Sequence, residues 1–151
     1  MISPELVRRY TFFAGLNLDQ ITALAKAADE VAAPMGAYFY KEGEELCYCF
    51  ILRQGQVGIV VQLPRLKKEV ITSTLGPGDM FGWAGLVPPH RTTACAKALT
   101  TCQVLRFDCC ALRPGFEKDC QFGFVMMERV AQVMGERLRD TRMETLAYAA
   151  A

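Results

Sequence analysis

The sequence lacks the features that mark membrane-spanning, secreted and nucleic-acid-binding proteins. No apolar run in the 151 residues approaches the ~18–20 residues of a membrane span. The first ten residues lack the apolar core of a secretory signal peptide. The net charge is only +1, so no broad positive field attracts the chain to DNA or RNA. We therefore expect a cytoplasmic protein that has no membrane partner.

Groups that carry catalysis or bind metals are scarce. The chain has one histidine, His90, and neither a GxSxG nucleophile elbow nor a CxxC pair. Its acidic residues are scattered among predicted turns and the last predicted helix. We therefore expect neither an enzyme nor a metal site. Haem ligation by His90 and metal ligation by several cysteines stay open as alternatives.

Cysteine, by contrast, is frequent. The count is odd and no secretory signal precedes it, so we expect no disulfide framework. Most of these residues suit the role of small, buried apolar side chains. A redox switch at Cys109 and Cys110 is the alternative. The seven cysteines are Cys47, Cys49, Cys95, Cys102, Cys109, Cys110 and Cys120.

The chain is long enough for one domain, which we expect to cover residues 1–151. Residues 1–28 contain two predicted helices, which begin after the capping residues Ser3 and Asn17. Residues 30–108 carry short apolar runs separated by glycine-containing turns, which is typical of a small β-barrel or jelly roll. Asp108 is predicted to cap a short helix that ends at Pro114 and Gly115. Residues 116–148 contain no proline and are predicted to form a long helix.

This C-terminal helix carries an apolar stripe at helical spacing. Such a stripe packs on its own barrel, on a partner helix or on both. We therefore predict a homodimer formed through the helix, with another protein as the alternative partner. The stripe consists of Phe122, Met126, Val130, Val133, Met134 and Leu138.

One stretch, residues 81–98, combines features of an anion-binding loop. A turn that contains Gly82 precedes a short helical run, whose free N–H groups favour an anion. Arg91 follows and can make paired contacts to two phosphate oxygens. Thr92 and Thr93 come next and alternate in direction, so one hydroxyl can face the ligand.

The order of these motifs resembles the cyclic-nucleotide-binding domain family, the sensor half of the catabolite activator and fumarate–nitrate regulator type. The resemblance covers roughly residues 13–146. It depends on KEGE at 41–44, ILRQGQV at 51–57 and GPGDMFG at 76–82, in the family's order and spacing. It implies a mainly β fold: a double-stranded β-helix (jelly-roll) barrel with N-terminal helices and a long C-terminal helix. Regulators of this type continue into a DNA-binding module, but this sequence stops after the helix, so we expect no direct, specific DNA binding.

The resemblance also implies a ligand site. The family's phosphate-binding cassette matches residues 81–86, and its arginine matches Arg91 or, by strict count, His90; we assign it to Arg91. The family's Arg-Leu-x-x-Thr segment places Thr141 near the ligand. The predicted ligand-binding residues are Gly82, Trp83, Ala84, Gly85, Arg91, Thr92, Thr93 and Thr141.

Trp83 departs from the family pattern. The family has a glutamate there, which accepts a hydrogen bond from the ribose 2′-hydroxyl. Loss of that acceptor costs about 1–3 kcal/mol, and an indole fills space that a ribose would need. We therefore expect a non-catalytic, ligand-sensing regulatory module with altered or weak affinity for cAMP or cGMP. Another small anionic or aromatic ligand, a plugged pocket in a degenerate interaction and dimerisation module, and a thiol-based redox sensor are the alternatives.

Overall fold

The computed structural model describes residues 1–150, which form two antiparallel sheets flanked by helices at both ends of the chain. The helices are α1 (Pro4–Arg8), α2 (Leu18–Lys26), α3 (Cys109–Lys118) and α4 (Cys120–Ala150). The strands are β1 (Ala28–Ala33), β2 (Tyr38–Tyr40), β3 (Tyr48–Gln54), β4 (Val57–Leu63), β5 (Lys68–Leu75), β6 (Met80–Phe81), β7 (Cys95–Ala98) and β8 (Cys102–Asp108). Short 3₁₀ turns occupy Thr11–Phe13 and Trp83–Gly85.

The two sheets have four strands each. The first has the order β1-β8-β3-β6 and the second the order β2-β7-β4-β5, with every neighbouring pair antiparallel. Strands that are adjacent in sequence therefore often lie in different sheets, as in a jelly roll. The predicted fold, a mainly β barrel with flanking helices, is confirmed.

Two clusters of buried apolar side chains hold the layers together. One fills the space between the helices and the first sheet and includes Leu24, Leu105 and Met126, each of which is 0% exposed. The other lies between the sheets and includes Leu52 and Phe81. Burial of each such side chain contributes about 1.5–3 kcal/mol.

The capping residues act as expected from the sequence. Ser3 accepts a hydrogen bond from the Glu5 N–H at 3.3 Å, and Asn17 with Gln20 forms a reciprocal capping box at the start of α2. Asp108 caps α3 by accepting from the Ala111 N–H at 3.1 Å.

The predicted break at Pro114 is wrong. Helix α3 runs through Pro114 and ends at Lys118, so α4 begins at Cys120 and not near residue 116. Leu112 and Phe116, on either side of the proline, pack into the helix-side core. This packing outweighs the backbone hydrogen bond that proline removes.

Helix α4 divides its apolar stripe between two environments. Phe122, Met126 and Val130 are buried in the helix-side core, so they are not available to a partner. Met134 and Leu138 are 37% and 51% exposed. Within residues 1–150, no helix is both long enough and apolar enough to cross a bilayer.

Candidate functional site

A cavity of about 340 Å³ lies between the second sheet, the turn after β6, the segment before β7 and helix α4. Most of its wall is apolar, and the polar groups are the Tyr40 hydroxyl, the Trp83 indole N–H, the Arg137 guanidinium and four threonine hydroxyls. It is lined by Tyr40, Ile59, Val61, Thr72, Phe81, Gly82, Trp83, Ala84, Thr92, Thr93, Ala94, Met134, Arg137, Leu138 and Thr141.

The Trp83–Gly85 turn is fixed by two glycines. Gly82 has a φ of +80°, and a Cβ there would lie 3.0 Å from the Phe50 ring, so the left-handed, crowded position requires glycine. A Cβ on Gly85 would lie 2.6 Å from the carbonyl oxygen of Tyr48. The turn is therefore pressed onto β3, and this contact holds Trp83 in the cavity wall.

Trp83 joins the two halves of the core as well as lining the cavity. Its indole is partly exposed and packs against both the helix-side cluster and the cluster between the sheets. A shift of the Trp83 side chain would therefore alter the packing of both clusters.

Six of the predicted ligand-binding residues come together around the cavity, and two do not. Gly82, Trp83, Ala84, Thr92, Thr93 and Thr141 line it. Gly85 is buried behind the turn, where it contacts β3 and its carbonyl accepts from the Arg113 Nε at 2.9 Å.

Arg91, which we assigned to the ligand site, does not line the cavity. Its side chain is exposed, and Nη1 donates to the Gly43 carbonyl at 3.1 Å. The reason lies in the local backbone: His90 has a φ of +62°, and Arg91 then pairs with Glu45 in an isolated β-bridge. Alternation along the extended segment turns Arg91 outward and Thr92 inward.

The inward-facing residue, Thr92, forms hydrogen bonds with the backbone of the protein through its side-chain hydroxyl. The side chain is 6% exposed, and Oγ1 donates to the Lys41 carbonyl at 2.6 Å and accepts from the Glu44 N–H at 3.1 Å. These bonds fasten the KEGE turn, so the hydroxyl is already occupied.

Arg137 is a cavity residue that the sequence-based site omitted. It is 15% exposed, and Nη2 donates to the Met80 carbonyl at 2.6 Å. Its other partner, the Glu136 carboxylate, lies 3.9 Å from Nη1 and is 71% exposed. The signal was available, because Arg137 and Thr141 are four residues apart and therefore share one helix face.

Tyr40 is a second omitted residue. It is 8% exposed, and burial raises the pKa of its phenol far above the usual range, against smaller opposing effects of the Gly82 backbone and the Arg137 charge. Tyr40 is thus a neutral hydroxyl at the cavity wall. No aspartate or glutamate of residues 1–150 lines this cavity.

The cysteines form one disulfide, although we expected no disulfide framework. Cys47 and Cys110 form a disulfide, and the thiols of Cys49 and Cys109 contact each other, which together with burial raises the pKa of Cys49. The register of β3 against β8 explains the pairing, because it sets Tyr48 opposite Asp108. An odd count excludes complete pairing but not one bridge.

The remaining free cysteines lie apart from this cluster. Cys95 and Cys102 are buried and Cys120 is exposed. Among the described residues, no three or more histidine, cysteine, aspartate or glutamate side chains are arranged to hold a metal ion.

Comparison with known proteins gives consistent relatives. The model of the cyclic nucleotide-binding domain family matches residues 30–119. A CRP-like cAMP-activated global transcriptional regulator of Mycobacterium tuberculosis is 29% identical over 137 residues, which cover 91% of this chain and 59% of the relative. A cGMP-dependent protein kinase of Toxoplasma gondii is 34% identical over 95 residues, which cover 62% of this chain and 9% of the kinase.

Solved structures agree with these matches. A protein from Geobacter metallireducens GS-15, named as a cyclic nucleotide-binding protein, superimposes with a TM-score of 0.81 at 30% identity and covers 91% of this chain and 99% of its own. The N-terminal domain of a Streptomyces coelicolor transcriptional regulator superimposes with a TM-score of 0.68 at 25% identity, covering 93% and 94%. The family match spans more than half of the chain, and its residues form the observed barrel. The chain belongs to the cyclic nucleotide-binding domain family.

Proposed function

We propose that this chain is a non-catalytic, ligand-sensing regulatory module whose affinity for cAMP and cGMP is weak. The observation that carries the proposal is Trp83 in the cavity wall, at the position where the family resemblance implies a glutamate. No acidic side chain among the described residues lines the cavity to replace the missing glutamate. The Arg91 side chain points away from the cavity and donates to the Gly43 carbonyl. A ribose hydroxyl and a cyclic phosphate would thus both lose a partner.

The open cavity favours a sensor over a plugged pocket. The indole leaves about 340 Å³ beside it, which lies at the small end of the range for ligand sites. Helix α4 supplies Met134, Arg137, Leu138 and Thr141 to the wall. A ligand that contacts these side chains in only one pose of α4 would shift the helix toward that pose.

Helix α4 also supports the proposal of a homodimer. Its exposed side includes Phe124, Met127, Ala131, Met134 and Leu138, whose spacing alternates between three and four residues, as at the seam of a coiled coil. Met134 and Leu138 belong to both the seam and the cavity wall. A ligand that moves Met134 or Leu138 would therefore alter the contact between the two copies of the chain.

Calorimetric titration with cAMP, cGMP and a cyclic dinucleotide tests the proposed weak affinity. W83E restores the carboxylate, so we expect it to tighten cAMP binding by about 5- to 150-fold, the equivalent of about 1–3 kcal/mol. W83L is the matched control, because it removes the indole without adding an acceptor. Sub-micromolar cAMP binding by the wild-type chain, weakened in W83E, would refute the proposal.

A thiol-based redox sensor is a second candidate function, favoured by the position of the disulfide. A dithiol reductant would cleave Cys47–Cys110 by a two-electron exchange, forming two thiols while the reductant becomes a disulfide. The Cys109 sulfur, one residue before Cys110, lies 3.1 Å from where a Gly85 Cβ would be, so the disulfide is one residue away from a contact with the cavity turn. In the cytoplasm, our proposed location, thiols are kept reduced, and the bridge would form under oxidation.

Mass measurement after alkylation, with and without peroxide, tests this second candidate. We expect two fewer alkylated cysteines after peroxide in the wild type and no such change in C110S. Equal alkylation in both states would exclude it.

A further inference from the structure

The polar groups of the cavity are unevenly available to a ligand. The Thr92 hydroxyl is occupied by the KEGE turn, and Thr141 donates to the Arg137 carbonyl at 2.9 Å. The guanidinium of Arg137 carries five N–H donors, of which one binds the Met80 carbonyl at 2.6 Å. Arg137 therefore retains donors for a ligand.

Among the described residues, Glu136 supplies the one carboxylate within 4 Å of the Arg137 guanidinium. Glu136 lies 3.9 Å from Nη1 and is 71% exposed, so water screens this pair. Arg137 is the one cation among the residues that line the cavity, and none of the described lining residues is acidic. The cavity thus suits a ligand with a single negative charge.

The rest of the cavity wall indicates the chemistry of the uncharged part of the ligand. Phe81 and Trp83 offer aromatic faces, and Ile59, Val61 and Leu138 offer aliphatic ones. Such a wall stacks on a flat ring but offers the hydroxyls of a sugar no carboxylate acceptor, so burying them costs binding free energy. A ligand that is apolar apart from its charge fits better than a nucleotide.

We propose that the cavity binds an aromatic monocarboxylate, with the carboxylate on the Arg137 guanidinium and the ring in the apolar part that Trp83 lines. Arginine binds carboxylates in a two-pronged arrangement. The inference deepens the proposed sensor function, because the anion would be held directly by α4, the helix proposed to carry the response.

The test uses 2-naphthylacetate and its neutral counterpart 2-naphthylacetamide, which share one ring system. Trp83 is the only tryptophan of the chain, so its single indole N–H signal in a nitrogen–proton NMR spectrum reports on the cavity wall. Calorimetry on the full chain measures both affinities. We expect the acid to bind about 10-fold or more tightly than the amide, as charge-assisted hydrogen bonds predict, and to shift the Trp83 signal.

Three variants test whether Arg137 binds the carboxylate. R137Q should remove the preference for the acid, while R142Q, at an exposed arginine on the same helix, should keep it. R137K should retain part of the preference and guards against loss of folding in R137Q. Equal affinities of acid and amide in the wild type, or a preference that survives R137Q, would overturn the inference, as would the failure of both probes to bind.

Failure here is distinguishable from failure of the proposed function. If neither naphthyl probe binds but W83E gains affinity for cAMP, the ligand class is wrong and the weak nucleotide sensor remains. If the wild-type chain binds cAMP tightly, the proposed function is wrong whatever the naphthyl probes do.

Discussion

Replacing Thr92 by valine tests whether its hydroxyl serves the fold or the ligand. Valine keeps the shape of threonine and removes the oxygen that donates to the Lys41 carbonyl and accepts from the Glu44 N–H. Leaving such groups unpaired costs about 1–3 kcal/mol in a buried site. Both partner residues are themselves exposed, so water can compensate in part, and we expect a loss of about 1–2 kcal/mol.

A loss of that size is measurable by thermal unfolding. For a domain of this length it lowers Tm by about 2–8 °C. T93V is the matched control: Thr93 is the neighbouring, exposed threonine, so its replacement should leave Tm unchanged. If T92V unfolds at the wild-type temperature but loses affinity for 2-naphthylacetate, the Thr92 hydroxyl contacts the ligand and the assignment to the KEGE turn is wrong.

Four further predictions address other contacts. G85A should lower stability by about 1–3 kcal/mol, because its Cβ would meet the β3 main chain; an unchanged denaturant midpoint would refute this. R91M should leave the calorimetric affinity for cAMP unchanged, since its side chain lies outside the cavity; a clear loss would return Arg91 to the site. F124E should shift sedimentation toward a monomer, because the side chain is 67% exposed on the proposed seam; an unchanged oligomer would exclude this seam. The hydrogen bond from Tyr38 lowers the pKa of Glu69 below its ordinary 4.5, so the resulting stabilisation is present above that value and is lost as pH falls through the lowered pKa. E69Q should therefore unfold at a lower temperature than the wild type at neutral pH, and the two should converge in acid.

The fold could be predicted from the sequence because its signals are local. Capping at Ser3 and Asn17 depends on residues three positions away or fewer, and the glycine-punctuated apolar runs determine where strands begin and end. The predicted helix end at Pro114 was wrong because Leu112 and Phe116, on either side of it, pack into the core. This tertiary packing overrides the local preference of proline for a helix end.

The site was predictable only where contacts follow from sequence distance. The cassette turn is one continuous segment, so Gly82, Trp83 and Ala84 were identified and do line the cavity. The direction of Arg91 depends on the left-handed conformation of His90, which residue types alone do not determine. Arg137 could have been inferred from its four-residue spacing to Thr141 on one helix face. The pairing of Cys47 with Cys110 depends on which elements meet in three dimensions, and no local pattern specifies that.

The NMR signal of the Trp83 indole during titration with cAMP tests the central claim most directly, because the same group is both the proposed obstacle and the reporter. For a weak site, we predict a signal that moves gradually with cAMP concentration and is still far from saturation in the micromolar range. A signal that saturates at sub-micromolar cAMP would contradict the claim that Trp83 weakens nucleotide binding.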